Sequence, residues 1–246
     1  MSRSLSYFAS DVHLGLNVED APGREKRFVS FLRSIDPSQT ENLFLLGDIF
    51  DFWYEYKYVV PKGFARVFAA LQDLMDAGVK VCFVPGNHDV WTYHYFEDMG
   101  MKILPQPSVV EISGRKFCLA HGDCLGPVNR TVRILHGIFH SKFLQALFST
   151  LHPRIAFGFG TAWSKSNRLK HTKAYAFRNE EEPIYKFAAS FPEKVDYFVF
   201  GHFHVDVRLS MPDGAGFFIL KDWFDATSYA VFDADKGELT SFSSAL

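Results

Sequence analysis

The chain has 246 residues, 48% hydrophobic and 17% aromatic, with 27 Phe, and its 26 Lys+Arg nearly balance 28 Asp+Glu for a formal net charge of −2. That length suits one domain, with or without an insertion, and the apolar content is ample for a core. Three cysteines (Cys82, Cys118, Cys124) without CxxC spacing argue against a disulfide framework and fit a reducing compartment.

The first residues have too short an apolar stretch for a signal peptide, and Asp11 follows at once. No uncharged run reaches the roughly 18 apolar residues of a membrane span. The sequence therefore predicts a cytoplasmic protein that meets a membrane, if at all, from the side. Ser6–Ser10 reads as a strand, Gly23–Ile35 as a helix with a basic face, and Asn42–Leu46 as a buried strand. Phe64, Val67, Phe68, Leu71, Leu74 and Met75 recur at helical spacing up to Gly78, and Val79–Val84 is the next strand. This rhythm predicts parallel strands covered by helices. Val109–Ser113 and Lys116–Ala120 read as a hairpin around Gly114-Arg115, and Asn129 to Ser190 as mainly helical. Strands return at Tyr197–Phe200, Val205–Ser210, Phe217–Leu220 and Tyr229–Phe232. The expectation is an α/β protein: a two-sheet sandwich flanked by helices, with a core of 1–125 and 191–246 and a helical insertion at 126–190.

Five polar clusters each follow an apolar strand: Asp11-Val12-His13; Gly47-Asp48 with Asp51; Gly86-Asn87-His88-Asp89; His121-Gly122-Asp123; and Gly201-His202-Phe203-His204. Loops at strand ends let a rigid scaffold aim side chains at one place. Asp11 and His13 are two apart, as are His202 and His204, so each pair shares a side if the strand runs on. The glycines before Asp48, Asn87 and His202 permit sharp turns. Mixed oxygen and imidazole ligands without thiolate suit Mn, Fe, Zn or Co better than Mg or Ca alone. Asp11, His13, Asp48, Asn87, His121, His202 and His204 are too many for one catalytic ion with an open position, and suit two ions roughly 3.5–4 Å apart that share a carboxylate.

In this order the clusters resemble the calcineurin-like metallophosphoesterase superfamily, with its D-x-H, G-D-x-x-D, G-N-H-D, H-G-D and G-H-x-H motifs. The resemblance implies a four-layer αββα sandwich. It implies that Asp11, His13 and His204 hold one metal, that Asn87, His121 and His202 hold the other, and that Asp48 bridges both. It makes His88 an acid or charge stabiliser facing the substrate, oriented by Asp89, and puts Asp51 and Asp123 outside the ligand shell. His94, His136, His140, His152 and His171 fit no cluster and read as structural or surface residues.

From Cys124 to Asn179 there is no Asp or Glu but nine Lys or Arg, so the remainder carries −2 − 9 = −11. The same stretch is rich in large apolar residues at near-helical spacing, which makes it amphipathic. Such a split points to an anionic partner, and a greasy, basic-rimmed cap would suit acyl chains beside a diphosphate. The pattern from Phe8-Ala-Ser-Asp-Val-His-Leu-Gly through Leu45-Leu-Gly-Asp-Ile-Phe-Asp-Phe-Trp to this insertion is similar to the UDP-2,3-diacylglucosamine diphosphatases of lipid A biosynthesis. That resemblance implies hydrolysis to UMP and 2,3-diacylglucosamine 1-phosphate with two divalent ions, Mn²⁺ by preference, and side-on contact with the cytoplasmic membrane face. It also implies substrate contacts from Asn87, His88, Ser164, Lys165, Arg168 and Lys170. The chain departs from many proteobacterial members in having His88 where they carry Arg, and a substrate-binding Asp early in the cap of those members would fall near Asn129. A soluble metallophosphatase or diadenosine-type hydrolase is the alternative that His88 favours. The basic segment would also suit a nuclease, and a scaffold on a decayed site is opposed by the complete ligand set.

Overall fold

A computed structural model describes residues 3–18, 20–170 and 175–245. In chain order the elements are β1 (Leu5–Ala9), α1 (Ala21–Ser34), β2 (Thr40–Leu45), α2 (Ala65–Asp76), β3 (Lys80–Phe83), α3 (Tyr95–Asp98), β4 (Lys102–Ile103), β5 (Ser108–Ile112), β6 (Arg115–Leu119), α4 (Arg130–His140), α5 (Lys142–Phe148), α6 (Pro153–Lys170), α7 (Pro183–Ala189), β7 (Tyr197–Phe200), β8 (Val207–Ser210), β9 (Gly216–Ile219), β10 (Ala226–Asp233) and β11 (Glu238–Ala245).

Two sheets form. One has the order β11-β10-β1-β2-β3-β4, the other β5-β6-β7-β9-β8. The strands β1 to β4 pair in parallel, as do β6, β7 and β9, so their carboxyl ends lie together at one end of each sheet. Alternation along the strands builds the layers. Leu43 and Leu45 face α1 and α2, where Phe28, Leu32, Val67 and Leu71 cover them. Phe44 and Leu46 face the second sheet and meet Phe117, Leu119 and Val199 between the sheets. On the far side of the second sheet, Ile184, Tyr185 and Ala188 of α7 pack on Phe198, Phe200 and Phe217. The result is four layers, helix, sheet, sheet, helix. Much of the phenylalanine fills this interior: Phe8 stacks on Phe44 and Phe117 with ring centroids 5.1 and 5.6 Å apart.

Several expectations shift. The hairpin turn is Ser113-Gly114, both at positive φ (48° and 77°), with Ile112 opposite Arg115. Two left-handed residues match the twist of the flanking strands, and Arg115 already belongs to β6. The strand expected at Val205–Ser210 begins only at Val207. Neither β4 nor β11 was expected. Glu238–Ala245 has little apolar periodicity and is extended because it pairs along its length with β10 at the sheet edge. Asn129 is not in the helix that follows but caps it, its side chain accepting from Val132 N at 2.9 Å. Among the described residues no helix is long and apolar enough to cross a membrane.

Candidate metal centre

All five polar clusters lie on loops leaving the carboxyl ends of β1, β2, β3, β6 and β7. Asp11, His13, Asp48, His202 and His204 each adopt a left-handed backbone, with φ of 53°, 49°, 52°, 71° and 56°. The strands therefore do not run on, and the paired spacing does not set a common face. Each residue instead turns its own side chain inward. Such a conformation costs on the order of 1 kcal/mol or more per non-glycine residue and persists only when its surroundings over-determine it. Main-chain bonds do so here: Asp11 N donates to Gly47 O (3.1 Å), His13 N to Asp48 O (2.9 Å) and Gly201 N to His121 O (3.0 Å). Gly86 and Gly201 are required for close approach, not for a turn. A Cβ on Gly86 would lie 2.3 Å from Asp48 Oδ1, and one on Gly201 would lie 1.9 Å from Ser10 Oγ.

The side chains converge as two abutting groups. Asp11, His13 and His204 offer ligand atoms within 4.8 Å of one another, and so do Asp48, His121 and His202. Asn87 Oδ1 joins the second group, 3.2 Å from His121 Nε2. Asp48 Oδ2 faces both, 3.3 Å from His121 Nε2 and 3.8 Å from His13 Nε2. His13 Nε2 and Asp11 Oδ1 are buried and have no hydrogen-bond partner, and they face each other at 3.9 Å. His121 is fully buried, and its Nδ1 lies 3.0 Å from Leu46 O, which requires N–H at that nitrogen. In the neutral ring Nε2 is then an acceptor pointed at two more acceptors. Converging acceptors with no donor among them call for a cation, and the mixed O and N set fits a divalent transition ion.

The electrostatics agree. Burial holds the His13 imidazole down to about 4. Burial, then the neighbouring His121, does the same for His202, also to about 4. Burial works against a charge on His121 and Asp48 as well, yet their mutual attraction prevails: His121 stays well above its ordinary range and Asp48 well below.

Around these groups lies a set of partners. Asp51 Oδ1 is 3.3 Å from His13 Nδ1, and Asp222 Oδ2 is 2.8 Å from His204 Nδ1. Each carboxylate thus fixes the tautomer that leaves Nε2 free to ligate. Asp222 was not anticipated, although its place three residues after β9 repeats the strand-end rule of the other clusters. Gln106 was also missed. Its Oε1 accepts from His121 N at 2.9 Å and its amide donates to Asp123 Oδ1 at 2.9 Å. Asp123 further meets His136 Nε2 of α4 at 3.8 Å.

His88 and Asp89 part company. Asp89 accepts from the main-chain N of Gly86 (2.8 Å), Asp48 (3.1 Å), Ile49 (2.8 Å) and Phe50 (3.2 Å). It clasps two loops together instead of orienting His88. Burial and the Asp48 charge push its carboxyl up to about 7 despite these donors. His88 is held by Asp51, whose carbonyl accepts from Nδ1 at 2.7 Å, and its Nε2 points into the site 4.0 Å from Asp48 Oδ2. Ser164, Lys165, Arg168 and Lys170 are in α6, and their side chains lie outside the described residues.

Replacing Asp222 by Asn should leave the fold intact and weaken divalent-ion binding about 10- to 100-fold, the usual cost of losing a carboxylate behind a ligating imidazole. Calorimetric titration with Mn²⁺ measures this, and unchanged affinity would remove Asp222 from the centre.

The calcineurin-like phosphoesterase family profile matches residues 6–206 of this chain. The chain is similar to a Porphyromonas gingivalis protein named UDP-2,3-diacylglucosamine hydrolase, 35% identical over 250 residues, covering 94% of this chain and 95% of that one. A protein of the same name from Haemophilus influenzae is 28% identical over 228 residues, covering 89% and 90%. One from Neisseria meningitidis is 37% identical over 147 residues, covering 59% and 60%.

Proposed function

Since the chain belongs to the calcineurin-like phosphoesterase family and is a metal-dependent phosphoester or diphosphate hydrolase, we propose that it hydrolyses the diphosphate of UDP-2,3-diacylglucosamine, releasing UMP and 2,3-diacylglucosamine 1-phosphate. The observation that carries the substrate class is the surface of α4–α6. Ile134, Ile138, Phe143, Leu147, Ile155 and Phe159 are between 45% and 76% exposed there. Monomeric proteins rarely leave large apolar patches without a use, and these six side chains come from three consecutive helices. Arg130, Arg133, Lys142 and Arg154 are exposed on the same helices, with no acidic residue among them. An apolar face rimmed by cations suits acyl chains and a membrane interface carrying anionic headgroups. A water-soluble nucleotide would need neither. Side-on contact with the cytoplasmic membrane face belongs to the same reading.

Asp11, His13 and His204 are assigned one ion, Asn87, His121 and His202 the other, and Asp48 lies between, with Mn²⁺ the preferred metal. Bound there, two such ions would lower the pKa of a water and offset the charge of the phosphoryl oxygens. The chain's own residues do the rest. Asp51 and Asp222 hold the His13 and His204 rings in register, and Asp89 holds the loops that present Asp48 and Asn87. His88, fixed at Nδ1 by the Asp51 carbonyl, turns Nε2 toward the reacting centre, where its protonated form donates to the leaving oxygen. Ser164, Lys165, Arg168 and Lys170 are assigned to substrate contact on sequence grounds.

The test is Mn²⁺-dependent release of UMP from UDP-2,3-diacylglucosamine in detergent, abolished by chelation. Turnover of simple diesters or dinucleoside polyphosphates with none on the lipid would transfer the protein to soluble-substrate hydrolases, the reading His88 favours.

A further inference from the structure

The segment Phe52–Tyr56 follows Asp48 and Asp51 directly, and its side chains alternate. Trp53 and Glu55 point into the core, where they are 0% and 4% exposed. Glu55 accepts from Trp53 Nε1 (3.1 Å) and from the main-chain N of Tyr93 (2.7 Å) and His94 (2.9 Å). This ties the loop after β2 to the loop after β3. Phe52, Tyr54 and Tyr56 point the other way and meet the helical segment. Phe52 lies so close to α6 that a Cβ on Gly160 would come within 2.4 Å of its ring. The Tyr54 hydroxyl donates to Gln145 O at 2.7 Å, and the Tyr56 hydroxyl to Leu151 O at 3.1 Å.

Trp91 completes the arrangement. It pairs with Tyr54 in an isolated parallel bridge, three residues beyond His88. Its ring sits 4.8 Å from Phe148 and 5.0 Å from Tyr54. Its Nε1 donates to Phe139 O at 2.6 Å, and the buried Gln145 amide donates to the same oxygen at 2.7 Å. That carbonyl belongs to the last turn of α4, where the chain breaks from helix at Ser141 (φ −71°, ψ 111°) and leaves carbonyls without helical donors. The Tyr54 and Trp91 donors come from the two loops that carry Asp48, Asn87 and His88, and their acceptors, Gln145 O and Phe139 O, are main-chain carbonyls in the last turns of α5 and α4.

We propose that Tyr54 and Trp91 are positioning residues that latch the α4–α5 corner to the two loops bearing the metal-site residues, so that the apolar helices are held at a fixed offset from the reacting centre. Main-chain acceptors and rigid aromatic donors make the latch insensitive to which side chains line the apolar face. It should therefore govern a substrate long enough to touch both the helices and the metal site, and be invisible to one that touches the site alone. The kinetic half of this inference rests on the lipid-substrate reading above.

Tyr54→Phe, Trp91→Phe and the double variant of the full chain, loaded with Mn²⁺, test it. In the double variant KM for UDP-2,3-diacylglucosamine should rise about tenfold or more, the effect of losing two buried hydrogen bonds. Hydrolysis of bis(p-nitrophenyl) phosphate should stay within about twofold, and amide exchange should quicken over 130–148 while the strands stay protected. Each single variant should show part of the effect. Equal losses on both substrates, or unchanged exchange over 130–148, would overturn the latch. If the wild type leaves the lipid intact, the substrate reading falls, and exchange over 130–148 alone decides the latch.

Discussion

Asp48→Asn is expected to reduce turnover at least about 10³-fold, on the order of 4 kcal/mol of transition-state stabilisation. Asp48 Oδ2 is within 4.0 Å of the Nε2 atoms of His13, His88 and His121, so this one carboxylate supplies the negative charge between the two ligand groups. Its other oxygen accepts from His88 N at 2.9 Å, a bond the asparagine oxygen can keep, so the fold should survive. A second readout separates loss of the centre from loss of chemistry. An ion at 100 times its dissociation constant stabilises the native state by about 2.7 kcal/mol. For a domain of this size that raises Tm by roughly 5–10 °C. The wild type should show this rise with Mn²⁺ after chelation, and Asp48→Asn should lose most of it. Without metal the variant should melt somewhat lower than the wild type, because it removes the carboxylate whose attraction to buried His121 prevails over burial. Full turnover together with a full metal-induced rise would remove Asp48 from the bridging role.

Asp89→Ala should damage the fold itself. Four main-chain N–H groups, from Gly86, Asp48, Ile49 and Phe50, lose their acceptor in a fully buried place. An unsatisfied buried donor costs about 1–3 kcal/mol, and water entering the vacated volume recovers part of it. A loss of about 3–5 kcal/mol follows, a large share of the 5–15 kcal/mol of a typical domain. Tm should fall by about 10 °C or more, and metal affinity should fall with it, since the left-handed Asp48 turn depends on those bonds. Thermal unfolding of the metal-free variant measures the effect. A variant that melts with the wild type but is inactive would return Asp89 to a direct part in the chemistry.

The five clusters were legible because apolar strands punctuated by Asp, His, Asn and Gly have a local signature, and their order along the chain identified the family. The parallel rhythm of the first third and the greasy, acid-free middle segment were equally local. What was misread had its cause elsewhere in the molecule. β11 is a strand only because β10 lies beside it. Asp89 sits next to His88 in sequence, yet its oxygens face four amides across two loops, while Asp51, farther away, holds the imidazole. Asp222 and Gln106 lie outside the recognised motifs and act on residues reached only through the fold.

Residue types and their order, by themselves, determined which atoms are available to bind a cation and which layers the strands form, because periodicity and ligand chemistry are properties of neighbouring residues. The tertiary structure alone decided how those atoms are aimed. The left-handed turns at Asp11, His13, Asp48, His202 and His204 are unfavourable in an isolated peptide; those at Asp11 and His13 are held by main-chain bonds between strand-end loops, and those at Asp48 and His202 by the carboxylates of Asp89 and Asp11. The seating of α4 and α5 on Tyr54 and Trp91 was likewise hidden, since its acceptors are backbone carbonyls and a carbonyl leaves no mark in a sequence.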